Sequence, residues 1–148
     1  VARMLLEIKS PDRLEAWLEA ALASGEKIMG FGHRVYKEGD PRAKILKAMS
    51  REITREVGHP EMYEMSARLE ELMGQRKGLI CNVDFYSASM YYTMGIAIDL
   101  YTPIFAVSRI AGWSAHVLEQ LANNRLIRPR ADYTGPAWPQ TWVPLEQR

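Results

Sequence analysis

Residues 30–42, with the sequence GFGHRVYKEGDPR, join a glycine-rich loop that carries His33 to the start of a predicted helix. Asp40 is a typical N-cap and Pro41 a typical first helical residue. The helical pattern then continues at five apolar positions: Ala43, Ile45, Leu46, Ala48 and Met49. We therefore predict a loop that ends at Asp40 and a helix that begins there.

Two features of this stretch are compatible with binding an anion, and each has an ordinary alternative. Arg42 falls on the first helical turn, where its charge opposes the helix dipole unless an anion lies nearby. That anion is either the carboxylate of Glu38 or Asp40, or a carboxylate of a ligand. Gly30 and Gly32 lack the third glycine of a dinucleotide-binding fingerprint. They either let backbone amides approach a ligand closely or only make the loop flexible.

The rest of the chain predicts helix after helix, without a convincing strand or repeat, so the expected fold class is all-α. The helices are expected at residues 1–8, 11–24 (capped by Ser10), 40–57, 61–74, 82–94 (begun by Asn82 or Asp84) and 102–123. Residues 125–148 contain four prolines as well as aromatic residues, and they predict an irregular arm.

Residues 85–108 carry one formal charge, Asp99, over nearly the length of a membrane span. Gly95, Asp99 and Pro103 interrupt the stretch, and a central aspartate costs about 2.5–3.5 kcal/mol on membrane-insertion scales. We therefore predict two buried helices of a water-soluble protein, joined near residues 95–102, and no membrane partner.

Composition excludes several other classes of protein. The 148 residues have a net charge of +1 and no basic stripe interleaved with aromatic residues, so a nucleic-acid partner is not expected. A single cysteine, Cys81, cannot form an internal disulfide and fits a reducing, cytoplasmic location. His33, His59 and His116 lack carboxylates at ligand spacing, so no metal site is predicted.

Three further charged residues are candidates for a site. Asp84 begins an aromatic helix: it is either a helix cap or, because its flanks are apolar, a carboxylate suited to act as a general base. Arg109 shares a helix face with Phe105 and Trp113, so it is either stacked on aromatic rings or faces a ligand carboxylate. Arg128 precedes a proline on an extended segment, which either is solvated or reaches another subunit.

Four ordered motifs together resemble the citrate synthase family, over essentially the whole chain. They are residues 30–42, residues 82–87 (NVDFYS), residues 108–113 (SRIAGW) with His116, and residues 127–135 (IRPRADYTG). The resemblance is to the C-terminal part of a two-domain, multi-helical and homodimeric enzyme. It implies that residues 1–95 form a small domain with the His33 loop and Asp84 motif, and that residues 96–148 return to the large domain.

The resemblance implies an acyltransferase of the tricarboxylic acid cycle that condenses acetyl-CoA with oxaloacetate and water to give citrate and CoA. His33 would polarise the ketone of oxaloacetate, and Asp84 would remove a methyl proton from acetyl-CoA. Arg42 and Arg109 would hold carboxylates, and Arg128 would reach the site of the other subunit. No permanently bound cofactor is implied, because acetyl-CoA and CoA are substrate and product. The implied CoA-binding residues are Lys27, Ile28, Met29, Gly30, Phe31, Gly32, Lys37 and Lys77.

The resemblance also implies parts of the enzyme that these residues do not contain. A histidine that stabilises the thioester enolate is expected just before Val1, together with most of the large domain, so we expect a fragment that is inactive alone. Two alternatives remain open: a 2-methylcitrate synthase that uses propionyl-CoA, and a helical assembly or regulatory module without catalysis. One methylene distinguishes the two thioesters and is worth only about 1–3 kcal/mol in a pocket.

Overall fold

A computed structural model describes residues 1–137, 139 and 141–147, and within these residues the chain is helical without a β-strand. Six α-helices are present: α1 (Ala2–Ile8), α2 (Leu14–Ala23), α3 (Pro41–Val57), α4 (Pro60–Lys77), α5 (Val83–Thr93) and α6 (Tyr101–Ala122). Short 3-10 helices occupy Pro11–Arg13, Ile98–Leu100 and Leu145–Gln147. The all-α prediction is confirmed.

The chain forms two compact units, Val1–Ile110 and Ala111–Arg148. The first contains α1 to α5 and the beginning of α6, and the second contains the rest of α6 and the irregular C-terminal arm. Outside one 3-10 turn, the described residues of the predicted arm adopt no regular structure. The domain boundary predicted after residue 95 remains a prediction.

Helix ends agree with the sequence where local chemistry is strong. The Asp40 side chain accepts a hydrogen bond from the Arg42 N–H, and α3 ends at Gly58 in the left-handed conformation with φ of 87°. Asn82 rather than Asp84 caps α5. Ser10 occupies the predicted N-cap position, in front of a 3-10 turn that precedes α2, but its hydroxyl donates to the Asp12 carboxylate and makes no capping bond to the backbone.

Helix α4 is longer than predicted. The sequence indicated an end near residue 74, yet the helix continues through Gly74 to Lys77 and ends at Gly78, which has φ of 62°. Of these two glycines, Gly78 rather than Gly74 adopts the left-handed conformation that terminates the helix.

The core of the first unit is built mainly from α1, α2, α4 and α5. Its fully buried large side chains are Leu5, Ile8, Leu14, Leu18, Met65, Leu69, Met73, Phe85 and Tyr86. Helix α3 packs against this core chiefly through α5. These helices therefore fix α5, whose first turn carries Asp84.

The buried face of α3 differs from the one that the apolar pattern suggests. Ile45 and Met49 are exposed, whereas Ala43, Ser50 and Thr54 are buried. The hydroxyl groups of Ser50 and Ser89 share a hydrogen bond of 2.7 Å across the contact between α3 and α5. Small hydroxyl residues let the two helices approach closely while their polar atoms stay paired, so they fill this interface instead of large apolar residues.

The prediction of two buried helices in residues 85–108 is half right. Helix α5 is largely buried, but among the described residues of α6 no residue is buried as a whole. Apolar side chains such as Phe105 and Val107 are consequently exposed. No helix among the described residues is long and apolar enough to cross a membrane.

The loop before α3 is attached to the segment before α5. Phe31 and Cys81 form an isolated antiparallel bridge, and the Gly32 N–H donates to the Ile80 carbonyl at 2.8 Å. The rings of Phe31 and Phe85 pack with centroids 4.6 Å apart. This attachment brings the glycine-rich loop to the N-terminus of α5.

Gly30 is predicted to be the glycine of this loop least tolerant of substitution. It has φ of 92°, and a Cβ atom there would lie 2.8 Å from a ring carbon of Phe85. Gly30→Ala is expected to destabilise the protein by about 2–4 kcal/mol, the sum of backbone strain and overpacking, in urea unfolding. Gly25→Ala is the control, since Gly25 has φ of 73° but open space around it. Equal losses for the two variants would contradict the role of the Phe85 contact.

Candidate active site

A cleft of about 1190 Å³ opens in the first unit. Six of the residues singled out from the sequence line it: Met29, Gly30, His33, Arg42, Asp84 and Arg109. They come from the loop before α3, from the first turns of α3 and α5, and from α6. The structure therefore brings together an imidazole, a carboxylate and two guanidinium groups that are separated by up to 76 positions in the chain, from residue 33 to residue 109.

His33 is held by its own loop. Its Nδ1 atom accepts hydrogen bonds from the backbone N–H groups of Val35 at 3.0 Å and Tyr36 at 3.1 Å. With two donors directed at Nδ1, the proton of the neutral imidazole lies on Nε2. The His33 ring thus presents an N–H donor from the side opposite the loop backbone.

Arg42 forms a bidentate ion pair with Asp40. Arg42 Nε donates to Asp40 Oδ1 at 2.9 Å and Nη2 donates to Oδ2 at 2.8 Å. Of the two partners considered from the sequence, the structure shows Asp40. A guanidinium group has five N–H donors, so this pair leaves the Nη1 donors of Arg42 free for a second anion.

The Asp40 carboxylate is the polar centre of this part of the cleft. Its side chain is 1% exposed, and it also accepts a hydrogen bond from the Val83 N–H at 3.1 Å. The hydrogen bonds from Arg42 hold the pKa of Asp40 below its usual range, against the opposing effect of burial. Sequence analysis recognised Asp40 as a cap but missed its second role, because nothing local indicates the contact with Val83.

Asp84 lies on the first turn of α5 and is exposed. Its backbone N–H donates to Asn82 Oδ1 at 3.0 Å, so Asp84 is a capped residue and not the cap. The expectation of apolar surroundings is wrong for this side chain, because Phe85 and Tyr86 point into the core while Asp84 faces the cleft.

Arg109 stacks on an aromatic ring, which is one of the two interpretations left open by the sequence. Its guanidinium carbon lies 4.5 Å from the centre of the Phe105 ring, one turn earlier on α6. Both residues line the cleft, and Arg109 is exposed. Stacking on one face of the guanidinium orients it while its edge donors remain available to a carboxylate.

The remaining predicted residues are placed differently. Ile28 and Phe31 are core residues, so only their backbone is available to a ligand. Lys27 is exposed on the loop, and Lys77 is exposed at the end of α4. Gly32 has φ of 79° and contacts the segment before α5.

Lys37 is not among the residues that line the cleft, and Arg128 belongs to the second unit. The Lys37 ammonium group donates to the His33 carbonyl at 3.2 Å. Arg128 is exposed on an irregular segment of the second unit.

Tyr101 and Asn82 line the cleft but were not among the sequence candidates for a site. The Tyr101 hydroxyl is buried and has no hydrogen-bond partner among the described residues. Both polar atoms of the Asn82 side-chain amide form hydrogen bonds. The oxygen caps α5, and Nδ2 donates to the Gly32 carbonyl at 3.0 Å. The only sequence signal for Asn82 was its position before a helix, which predicts the cap but not the second bond.

A second polar cluster lies behind the loop, centred on Glu70 of α4. Lys47 and Tyr86 each donate to Glu70 Oε2 at 2.5 Å, and the Cys81 thiol donates to Oε1 at 3.3 Å. Burial alone would raise the pKa of Glu70. The three hydrogen bonds have the larger combined effect, so the pKa of Glu70 lies below its usual value. Burial, together with the nearby Glu70 charge, raises the pKa of Cys81 to about 12, so the thiol stays protonated.

An all-helical unit whose cleft presents imidazole, carboxylate and guanidinium groups is suited to an anionic ligand. Within the described part of the chain, no group of three or more histidine, cysteine or acidic residues is arranged to hold a metal ion.

Comparisons with known proteins identify the family. A model of the citrate synthase C-terminal domain matches residues 1–130. Citrate synthase 2 of Bacillus subtilis strain 168 is 59% identical over 148 residues, which cover 100% of this chain and 40% of that protein. A 2-methylcitrate synthase of Shewanella oneidensis is 47% identical over 88% of this chain and 35% of that protein.

A solved structure agrees with these relatives. Citrate synthase from Thermoplasma acidophilum, in a ternary complex with carboxymethyl coenzyme A and oxaloacetate, has a TM-score of 0.77 and 39% identity. The match covers 99% of this chain and 40% of that chain. The chain therefore belongs to the citrate synthase family, and it spans about 40% of the length of these relatives.

The Asp40 ion pair predicts a pH dependence of stability. Because the pKa of Asp40 is lower in the folded than in the unfolded state, its stabilisation is present above about pH 4 and is lost as the pH falls through the folded value. Asp40→Asn is expected to cost about 1–3 kcal/mol near neutral pH and progressively less in acid. Urea unfolding of both proteins across this pH range checks the prediction.

Asp99→Asn is the matched control for this measurement. Asp99 also pairs with an arginine, Arg3, but the two side chains are 86% and 78% exposed. Exposed pairs contribute about 0–1 kcal/mol, so this variant should unfold much like the parent. A difference between Asp40→Asn and the parent that stays constant into acid would contradict the assignment.

Proposed function

We propose that this chain, as part of a complete enzyme, catalyses the condensation of acetyl-CoA with oxaloacetate and water to give citrate and free CoA. The observation that carries the proposal is the convergence of His33, Arg42, Asp84 and Arg109 on one cleft in a chain of this family. The ternary complex of the Thermoplasma acidophilum citrate synthase supports the same pair of ligand classes.

Oxaloacetate has two carboxylates and a ketone, and the cleft offers a donor for each. The free donors of Arg42 and the edge of Arg109 match the two carboxylates. The Nε2–H of His33 is the donor for the ketone oxygen, since Nδ1 is occupied by backbone amides. A hydrogen bond at the ketone draws electrons from its carbon and stabilises the charge that develops on oxygen.

Asp84 is the proposed general base. It takes a proton from the methyl group of acetyl-CoA, and the carbon–hydrogen electron pair passes into an enolate. The enolate carbon attacks the ketone carbon of oxaloacetate, forming the new carbon–carbon bond while the ketone oxygen takes a proton from His33. Water then cleaves the thioester of the citryl-CoA product to give citrate and CoA. Holding the two reactants in the geometry for reaction lowers the barrier by about 7–11 kcal/mol, because their translational and rotational entropy is already lost on binding.

Residues of the loop and its surroundings are proposed to bind CoA. Backbone groups of Ile28, Phe31, Gly30 and Gly32 and the exposed Met29 side chain suit contacts with the adenine, and the ammonium groups of Lys27, Lys37 and Lys77 suit its phosphates. No permanently bound cofactor is proposed.

The proposed assembly is a homodimer in the cytoplasm, in which Arg128 enters the site of the other subunit. An arginine on an exposed, extended segment supports such a contact. In this arrangement residues 1–95 belong to the small domain and residues 96–148 return to the large domain. Three guanidinium groups would then match the three carboxylates of citrate.

Asp84→Asn in the complete protein is predicted to lower kcat by about 10²–10⁴-fold, because the base is lost while the side-chain volume is kept. Release of CoA, followed with a thiol reagent, measures the rate, and size-exclusion chromatography checks that the assembly is unchanged. Asp99→Asn is the control, as Asp99 is a second carboxylate in the cleft lining. Full turnover by Asp84→Asn would refute the assigned base. Absence of turnover in the parent protein would favour the non-catalytic assembly module.

The similarity to a 2-methylcitrate synthase supports propionyl-CoA as a second candidate substrate. We expect acetyl-CoA to be preferred, with kcat/KM higher by about 10–200-fold, the range that one methylene supplies. Parallel CoA-release rates with the two thioesters and saturating oxaloacetate decide between them. A higher kcat/KM for propionyl-CoA would reverse the assignment.

A further inference from the structure

One side-chain amide connects the segments that carry the two proposed catalytic groups. Asn82 Oδ1 accepts from the Asp84 N–H at 3.0 Å, and Asn82 Nδ2 donates to the Gly32 carbonyl at 3.0 Å. Both contacts are hydrogen bonds only in this orientation of the amide, because one partner is a donor and the other an acceptor. Since Gly32 directly precedes His33, the two bonds connect the backbone beside His33 to that of Asp84.

The His33 loop has few other attachments near the imidazole. Two backbone bonds precede it: the Gly32 N–H to the Ile80 carbonyl at 2.8 Å, and the Asn82 N–H to the Gly30 carbonyl at 2.9 Å. Among the described residues, the hydrogen bonds of His33 itself stay within the loop. The Nδ2 bond of Asn82 is therefore the last attachment of the loop before the imidazole.

We propose that Asn82 is a positioning residue that sets the separation of His33 from Asp84. The inference rests on the proposed function, in which both groups act on reactants bound between them. Proton transfer requires donor and acceptor atoms within about 2.6–3.2 Å, and a displacement of about 1 Å costs about 100-fold in rate. Loss of the Nδ2 bond frees the loop at the residue next to the imidazole without removing either catalytic group.

Three substitutions in the complete protein separate positioning from helix capping. Asn82→Asp keeps an oxygen that caps α5, but it has no donor for Gly32 and sets a carboxylate oxygen against that carbonyl. Asn82→Ser also keeps a capping oxygen, and its hydroxyl is bonded directly to Cβ, so it ends short of the position from which Nδ2 donates to Gly32. Both keep the α5 cap, so they are expected to lower the melting temperature less than Asn82→Ala does, and to lower kcat by about 10–100-fold. The KM for oxaloacetate should change little, because Arg42 and Arg109 are unaltered. Asn82→Ala loses both bonds and should lower kcat and the melting temperature together.

Parent-like kcat in the Ser and Asp variants would overturn the proposal and leave Asn82 as a helix cap only. Amide hydrogen exchange of residues 30–36 gives a readout that does not depend on turnover. Faster exchange of this segment in Asn82→Ser supports the positioning role, and unchanged exchange contradicts it. If the parent protein does not condense the substrates, the proposed function fails, while the exchange result still decides whether Asn82 holds the loop.

Discussion

The arrangement of the cleft depends on one buried carboxylate. Asp40 accepts hydrogen bonds from the backbone and guanidinium group of Arg42 and from the Val83 N–H, and its side chain is 1% exposed. A buried charge is tolerated only when its lone pairs are occupied, and here the occupants are the first turns of α3 and α5. The same contacts that solvate the carboxylate therefore fix the position of Arg42 relative to the residue next to Asp84. Loss of one partner leaves the buried charge of Asp40 incompletely paired. Each hydrogen bond to Asp40 therefore contributes more to stability when the others are present.

Much of the fold follows from local chemistry that the sequence displays. The Asp40 cap, the left-handed Gly58 and the cap at Asn82 each set a helix end that was predicted within a residue or two. The errors arose where a tertiary contact decided the outcome. Ser50 is buried and Ile45 is exposed because α5 presents a hydroxyl group to α3, and no feature of α3 alone reveals that partner. Likewise, the apolar pattern of α6 predicts burial, but burial requires a packing partner that the pattern of one helix does not identify.

The candidate site was less predictable from residue patterns than the fold was. Patterns alone left His33, Arg42 and Asp84 each with an ordinary explanation, and only the resemblance to a family joined them into one site. The structure adds what neither source contains: which nitrogen of His33 is free, which donors of Arg42 remain, and that Asn82 bonds to Gly32. These features depend on contacts between segments distant in the chain, so single-sequence reasoning has no signal for them.

The contact between α3 and α5 contains hydrogen-bonded groups at several points along its length. These groups determine how the two helices are aligned along their axes more than how strongly they pack. Asp40 lies at one end of the interface, Ser50 meets Ser89 in its middle, and Glu70 ties Lys47 of α3 to Tyr86 of α5. An apolar interface of the same size tolerates small slides, because dispersion contacts are not directional. A slide of α5 by one residue, about 1.5 Å, would break all three sets of hydrogen bonds at once. The cost of burying these groups is thus offset by a single well-defined position of the first turn of α5, which the proposed role of Asp84 as a base requires.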